Sequence, residues 1–151
     1  MTTKETRKED LGKLINQLLS PKARARVVQE LIGKHTIPAS QAKEVVDYLR
    51  SQSRVQEAAI VARDAGLKDV AIELYGKCIK VLEEDGHYLE AARLAQSSGL
   101  MPDETKRLYE MHLVYLEEID HFREAAKIAA EAGMHERDTA YKKLDELLNE
   151  K

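Results

Sequence analysis

Tryptophan is absent from this sequence, phenylalanine occurs once, and the single cysteine is Cys78. With so few aromatic rings the apolar content rests on Ala, Leu, Val and Ile, which suits helices better than a β-sandwich. One cysteine excludes an internal disulfide and a thiolate metal cage. Three prolines and seven glycines leave long stretches free of helix breakers. No uncharged run approaches the roughly 18–20 apolar residues that cross a bilayer. The opening "MTTKETRKED" has no apolar core, so it does not read as a secretory signal. These absences lead to the expectation of a soluble, cytoplasmic protein of a reducing compartment, with no membrane insertion.

Charge, by contrast, is plentiful. Asp, Glu, Lys and Arg make up 34% of 151 residues, with both signs interleaved, as expected of many solvated helix faces. The net charge of −3 is unevenly spread. Residues 1–37 carry 8 Lys and Arg against 4 Asp and Glu, a net +4, and the remainder carries 16 against 23, a net −7.

Nearly every segment has helical periodicity and none alternates over strand length. Leu11, Leu14, Ile15, Leu18 and Leu19 form one amphipathic stripe. Ser20-Pro21 then supplies an N-cap and a first-turn proline for a second helix ending at Gly33. "GKHTIPAS" is the one loop of any length. Helices follow over about 39–51, 53–65, 68–84, 87–98, 103–119, 121–132 and 137–149, each break marked by Gly66, Gly99, Pro102-Asp103 or Gly133.

Within this pattern the chain repeats itself. "VQEAAIVARDAGL" (55–67), "YLEAARLAQSSGL" (88–100) and "FREAAKIAAEAGM" (122–134) recur at steps of 33 and 34 residues. Each unit is a longer helix, a tight turn, a shorter alanine-rich helix and a closing glycine. Small residues at Ala58, Ala62, Ala65, at Ala91, Ala95, Ser98, and at Ala125, Ala129, Ala132 make a flat stripe that lets a neighbouring backbone approach. Large residues of the longer helices face it: Tyr75, Cys78, Ile79 and Leu82, then Tyr109, His112, Leu113 and Leu116. A hairpin of this size cannot bury its own faces, so several must stack.

These units resemble the tetratricopeptide repeat, a 34-residue helical hairpin. The family's first-helix aromatic falls on Tyr75 and Tyr109, its turn residue on Gly86 and Asp120, and the following aromatic on Tyr88 and Phe122. The second-helix alanine signature falls on Ala91 and Ser98, then on Ala125 and Ala132. Ile79 and Leu113 depart from the small residue of the family, and "AGL" or "SGL" replaces its closing proline, as in the tetratricopeptide-like repeats of coat adaptors. A weaker copy covers 38–66, with Ala42, Val45, Val46 and Leu49 before Ala58 and Ala65. The resemblance implies an all-α solenoid of about nine helices, a right-handed superhelix of antiparallel hairpins in one continuous domain. Its parts are an N-terminal hairpin at 1–37, repeats at 38–66, 67–99 and 100–133, and a cap at 137–149. It also implies a protein-binding scaffold that uses the concave face of its first helices.

By that register the concave face presents Lys77, Lys80, Arg107, Glu110, Met111 and Val114. Met111, Val114 and Tyr115 add apolar surface beyond the repeat positions, suited to an amphipathic helix or extended peptide. The blander expectation, favoured over this one, is that helix 137–149 or a second copy of the chain covers the stripe. The family's two-carboxylate clamp is not supported, because its positions hold Lys43 and Asp47, Gly76 and Lys80, Glu110 and Val114, without asparagine. Glu84-x-x-His87 and Glu118-x-x-His121 have the form of di-iron ligands but straddle turns rather than share a helix, and His35, His112 and His135 add no ligand spacing. Cys78 lies mid-helix with nothing to activate it, and phosphate-binding glycine loops are absent. Neither an enzyme nor a cofactor or metal is expected. The leading function is non-catalytic binding of an unidentified protein or peptide, with homodimerisation left open. The lesser alternative is nucleic-acid association through Lys22, Arg24 and Arg26.

Overall fold

The computed structural model describes residues 11–150, and among these the chain is helical with no strand. The opening stretch read as lacking a signal core lies outside the described residues. Helix α1 runs over 11–16, followed by α2 (Pro21–Leu31), α3 (Ala39–Ser51), α4 (Val55–Asp64) and α5 (Lys68–Glu84). After these come α6 (Tyr88–Ser98), α7 (Pro102–Glu118), α8 (Phe122–Glu131) and α9 (His135–Leu148). The chain divides into two compact units, one up to Cys78 and one from Ile79, with α5 running through both.

In the first unit α2 packs on α3 and α3 on α4. Their shared core is small and aliphatic: Val28, Ala42, Val46, Leu49, Ala58 and Ala62 are all buried. Ser20 caps α2 as expected, its hydroxyl accepting from the Ala23 amide at 3.2 Å with Pro21 at the first helical position. The stripe expected over Leu11–Leu19 is shorter than its periodicity suggested. Helix α1 ends at 16, Leu14 is 60% exposed and Leu19 95%, and Ile15 alone of the five is fully buried. The reason lies downstream: Ser20 must leave helical geometry to cap α2, and the Arg24 guanidinium takes the Leu18 carbonyl. Gln41 holds α1 in place by donating its amide to the Gly12 carbonyl at 2.6 Å.

In the second unit α6 packs on α7, α7 on α8, and α8 on α9. Leu108, Tyr109, Leu113 and Leu116 of α7 are buried, as are Ala91, Ala92 and Ala95 of α6 and Ala125, Ala126 and Ala129 of α8. Large residues thus meet small ones, as the sequence pattern requires.

The turns explain why the hairpins close where they do. Residues 53, 86 and 120 all have left-handed φ, at 61°, 78° and 59°. In each turn the next amide reaches back five residues: Arg54 to Leu49, His87 to Leu82 and His121 to Leu116, at 2.8–2.9 Å. The left-handed residue itself bonds three back, which together is the Schellman closure of a helix. Glycine supplies this geometry at 86, whereas Ser53 and Asp120 adopt it against their Cβ atoms. Ser53→Gly should therefore raise stability by about 0.5–1 kcal/mol, and Gly86→Ala should lower it by a similar amount. A Cβ at Gly86 meets no atom within 4 Å, so that cost is backbone strain alone. Urea melts of the two variants against the parent check the pair.

Candidate partner-binding surface

Helix α7 starts on Pro102, whose missing amide hydrogen is not needed at the first helical position, and carries Asp103 and Glu104 in its first turn, where acids suit the helix dipole. One face is the core already described. The other carries Arg107, Met111, Val114 and Tyr115. Val114 is 50% exposed and Tyr115 54%. Asp103, Lys106, Arg107, Glu110, Met111 and Val114 surround a shallow depression of about 450 Å³. Four of the six expected partner contacts, Arg107, Glu110, Met111 and Val114, are thus brought together. Lys77 and Lys80 of α5 do not line it: Lys77 lies 3.4 Å from Glu73, and Lys80 is exposed.

Sequence did not reveal how the charged members are held. Arg107 forks onto Glu83 at 2.8 and 2.9 Å, also bonds Glu104, and reaches the Met111 sulfur at 3.2 Å. These bonds, Glu83 first, raise the guanidinium pKa above its ordinary value and hold the Glu83 carboxyl below its own. Arg107 is a strut between α5 and α7, and its charge is already matched. Glu110 faces Arg137 of α9 at 3.8 Å.

The expectation that the C-terminal helix covers the stripe is corrected by the structure. Tyr141 of α9 is buried, packs its ring 6.2 Å from Phe122 of α8, and donates its hydroxyl to Glu117 at 2.6 Å. Burial and that carboxylate push the Tyr141 hydroxyl pKa up to about 12. These contacts seat α9 against α8 and the last turn of α7, and Val114 and Tyr115 stay open.

A second network ties α6, α7 and α8 together. The Tyr109 hydroxyl lies 2.7 Å from Gln96 and 2.8 Å from Glu131, and Arg93 grips the Glu131 carboxylate at 2.9 and 3.0 Å. One phenolic proton serves one acceptor, so the hydroxyl donates to the carboxylate and the Gln96 amide nitrogen turns to donate to the phenol oxygen. Glu131 is held below the ordinary carboxylate range, by Arg93 first and Tyr109 second.

His112 sits as a partly buried residue of α7, its ring 6.1 Å from Tyr115, with a buried Nε2 that finds no hydrogen-bond partner among the described residues. Burial lowers its pKa from 6.5, against a smaller opposing pull from Glu124. The unfolded chain therefore takes up the proton first, and stability should fall as pH drops below about 6.5 until the folded imidazole also protonates. His112→Leu should flatten that part of the profile. Thermal melts of both proteins between pH 7.5 and pH 5 test this, and parallel profiles would refute it.

Arg24 is tied to Glu44 at 2.9 Å and to the Leu18 carbonyl, while Lys22 and Arg26 are exposed, so the basic cluster has one member already used structurally. Glu84 ends α5 and His87 lies in the following turn; Glu118 ends α7 and His121 lies in the next. Among the described residues no three His, Cys, Asp or Glu side chains gather as a metal site, and no helix is long and apolar enough to cross a membrane. Burial raises the pKa of the Cys78 thiol, which keeps it protonated. No family model matches the chain, and no curated protein or solved structure does.

Proposed function

We propose that the chain is a non-catalytic interaction module of tetratricopeptide-like hairpins, holding a peptide or amphipathic helix of a partner protein on its concave face, against the side of α7 that carries Met111 and Val114. On this reading the hairpins stack as a right-handed superhelix with their first helices inward. Support for the repeat comes from the left-handed turns at 53, 86 and 120 and the buried tyrosines at 75 and 109.

The observation that carries the binding function is the apolar strip Met111, Val114 and Tyr115, left open by α9 beside a polar rim of Lys106 and Glu110. Apolar surface framed by polar groups is the usual form of a recognition patch. Val114→Glu and Tyr115→Glu are the informative variants, since both side chains are half-exposed and neither supports the core. The test is affinity capture with the parent and each variant, after circular dichroism shows all three folded. A protein held by the parent and lost by both variants supports the reading. Identical captures refute it for this surface.

A further inference from the structure

We infer that the cleft over Gly99 and Gly133 is a second docking site, taking one bulky apolar side chain of an acidic peptide segment whose carboxylate pairs with Lys106. The cleft measures about 450 Å³ and lies where α6 and α8 end beside the first turns of α7. That is within the range of roughly 300–1,000 Å³ typical of ligand sites. Two of its lining residues, Gly99 and Gly133 at the ends of α6 and α8, have no side chains to fill it. Gly99 and Gly133 sit at φ 68° and 75°, and a Cβ at either would meet nothing within 4 Å. Ala95 and Ala132 add one carbon each. Half-buried Met101 and Met134 flank the opening, and methionine adapts to the shape of what it meets.

The chemistry of the occupant follows from charge. Of the eleven residues lining the cleft, Lys106 alone is charged, and among the described residues no carboxylate pairs with it. Two of the neighbouring charges are already matched, and Asp103 and Glu110, which share the α7 depression with Lys106, do not line the cleft. Glu131 behind Tyr109 is held in the Arg93 fork, and Arg107 is held by Glu83 and Glu104. What remains is an apolar socket beside one free ammonium group, complementary to an apolar side chain next to an Asp or Glu. The preceding repeat has Ile72 in the register of Lys106, so this preference belongs to the 100–133 repeat alone. Lys106 borders both surfaces, but Val114 and Tyr115 do not line the cleft, and the inference stands whether or not the Met111–Val114 side of α7 binds a partner.

The test uses three probes on the ¹⁵N-labelled full chain: acetyl-Ala-Glu-Phe-Ala-amide, acetyl-Ala-Lys-Phe-Ala-amide and 3-phenylpropionate. The amides of Gly99, Met101 and Gly133 report on the cleft, and those of Val114 and Tyr115 on the exposed apolar strip of α7. The Glu peptide should shift the cleft amides, with the Lys peptide at least about tenfold weaker. Lys106→Glu should reverse that order, and Lys106→Arg should preserve it. Lys106 is exposed, so both variants keep the fold, which circular dichroism verifies. Equal binding of the two peptides, no shift at the cleft amides, or shifts confined to Val114 and Tyr115 would overturn the inference. So would 3-phenylpropionate binding as tightly as the Glu peptide, which would make the cleft a site for small organic acids.

Discussion

Tyr109→Phe should lower stability by about 1–2 kcal/mol, whereas Tyr75→Phe should leave it unchanged or raise it slightly. The two tyrosines occupy the same repeat position, 34 residues apart, and both are completely buried. Their rings therefore contribute alike, and truncating either to alanine should cost about 3–5 kcal/mol. The hydroxyls differ. That of Tyr109 bonds Glu131 and Gln96, while that of Tyr75 is buried without a hydrogen-bond partner among the described residues. Removing the first leaves an acceptor on Glu131 and a donor on Gln96 short of a partner; removing the second deletes a polar group that is desolvated for nothing. Burial raises the pKa of both phenols and so opposes their ionisation, and Glu131 raises that of Tyr109 further. Urea denaturation followed by far-UV circular dichroism compares the midpoints at constant slope. Equal losses at both positions would mean that the Tyr75 hydroxyl also has a partner. A double-mutant cycle with Glu131→Gln then isolates the Tyr109 bond, expected to couple by about 1 kcal/mol.

That contrast marks the boundary of what sequence pattern revealed. The helix limits, the turn at each repeat and the burial of Tyr75 and Tyr109 follow from local signals: period, capping residues and glycine placement. All of these act within a few residues of each other. The hydroxyl partners do not, because Tyr109 depends on Arg93 and Glu131, 16 and 22 positions away, whose neighbourhood only packing creates. Arg107 shows the same limit. Its register placed it on an open face, and Glu83 of α5 turned it into a strut. Helix α1 erred in the opposite direction: a clean 3–4 stripe was cut short because a cap and an arginine downstream required the chain to turn. The cleft over Gly99 and Gly133 was hidden for a simpler reason. Each glycine was explained as a helix stop, and nothing in a linear pattern tells that two such stops lie on one surface.

Ala125→Leu, and equally Ala91→Leu, should be among the most damaging single changes in the protein, costing about 1–3 kcal/mol or more. Ala130→Leu should fall within about 0.5 kcal/mol of the parent. All three add the same atoms to a short alanine-rich helix, so helix propensity and hydrophobicity cannot separate them. Position does. Ala91 and Ala125 have no exposed surface and lie on the faces that α6 and α8 turn to their neighbours, whereas Ala130 points to solvent. Across from them stand Leu108, Tyr109, Leu113 and Leu116 of α7, already buried at full size. A leucine at 91 or 125 would have to push α6 or α8 away from α7 or force its own side chain off rotamer. Displacing either helix would also pull Arg93, Gln96 or Glu131 out of reach of the Tyr109 hydroxyl, so the packing loss and the hydrogen-bond loss arrive together. Thermal melts of the three variants decide the matter. Ala125→Leu tolerated as well as Ala130→Leu would mean that α8 can move away without cost, and the small-residue stripe would then not be what sets the spacing of the hairpins.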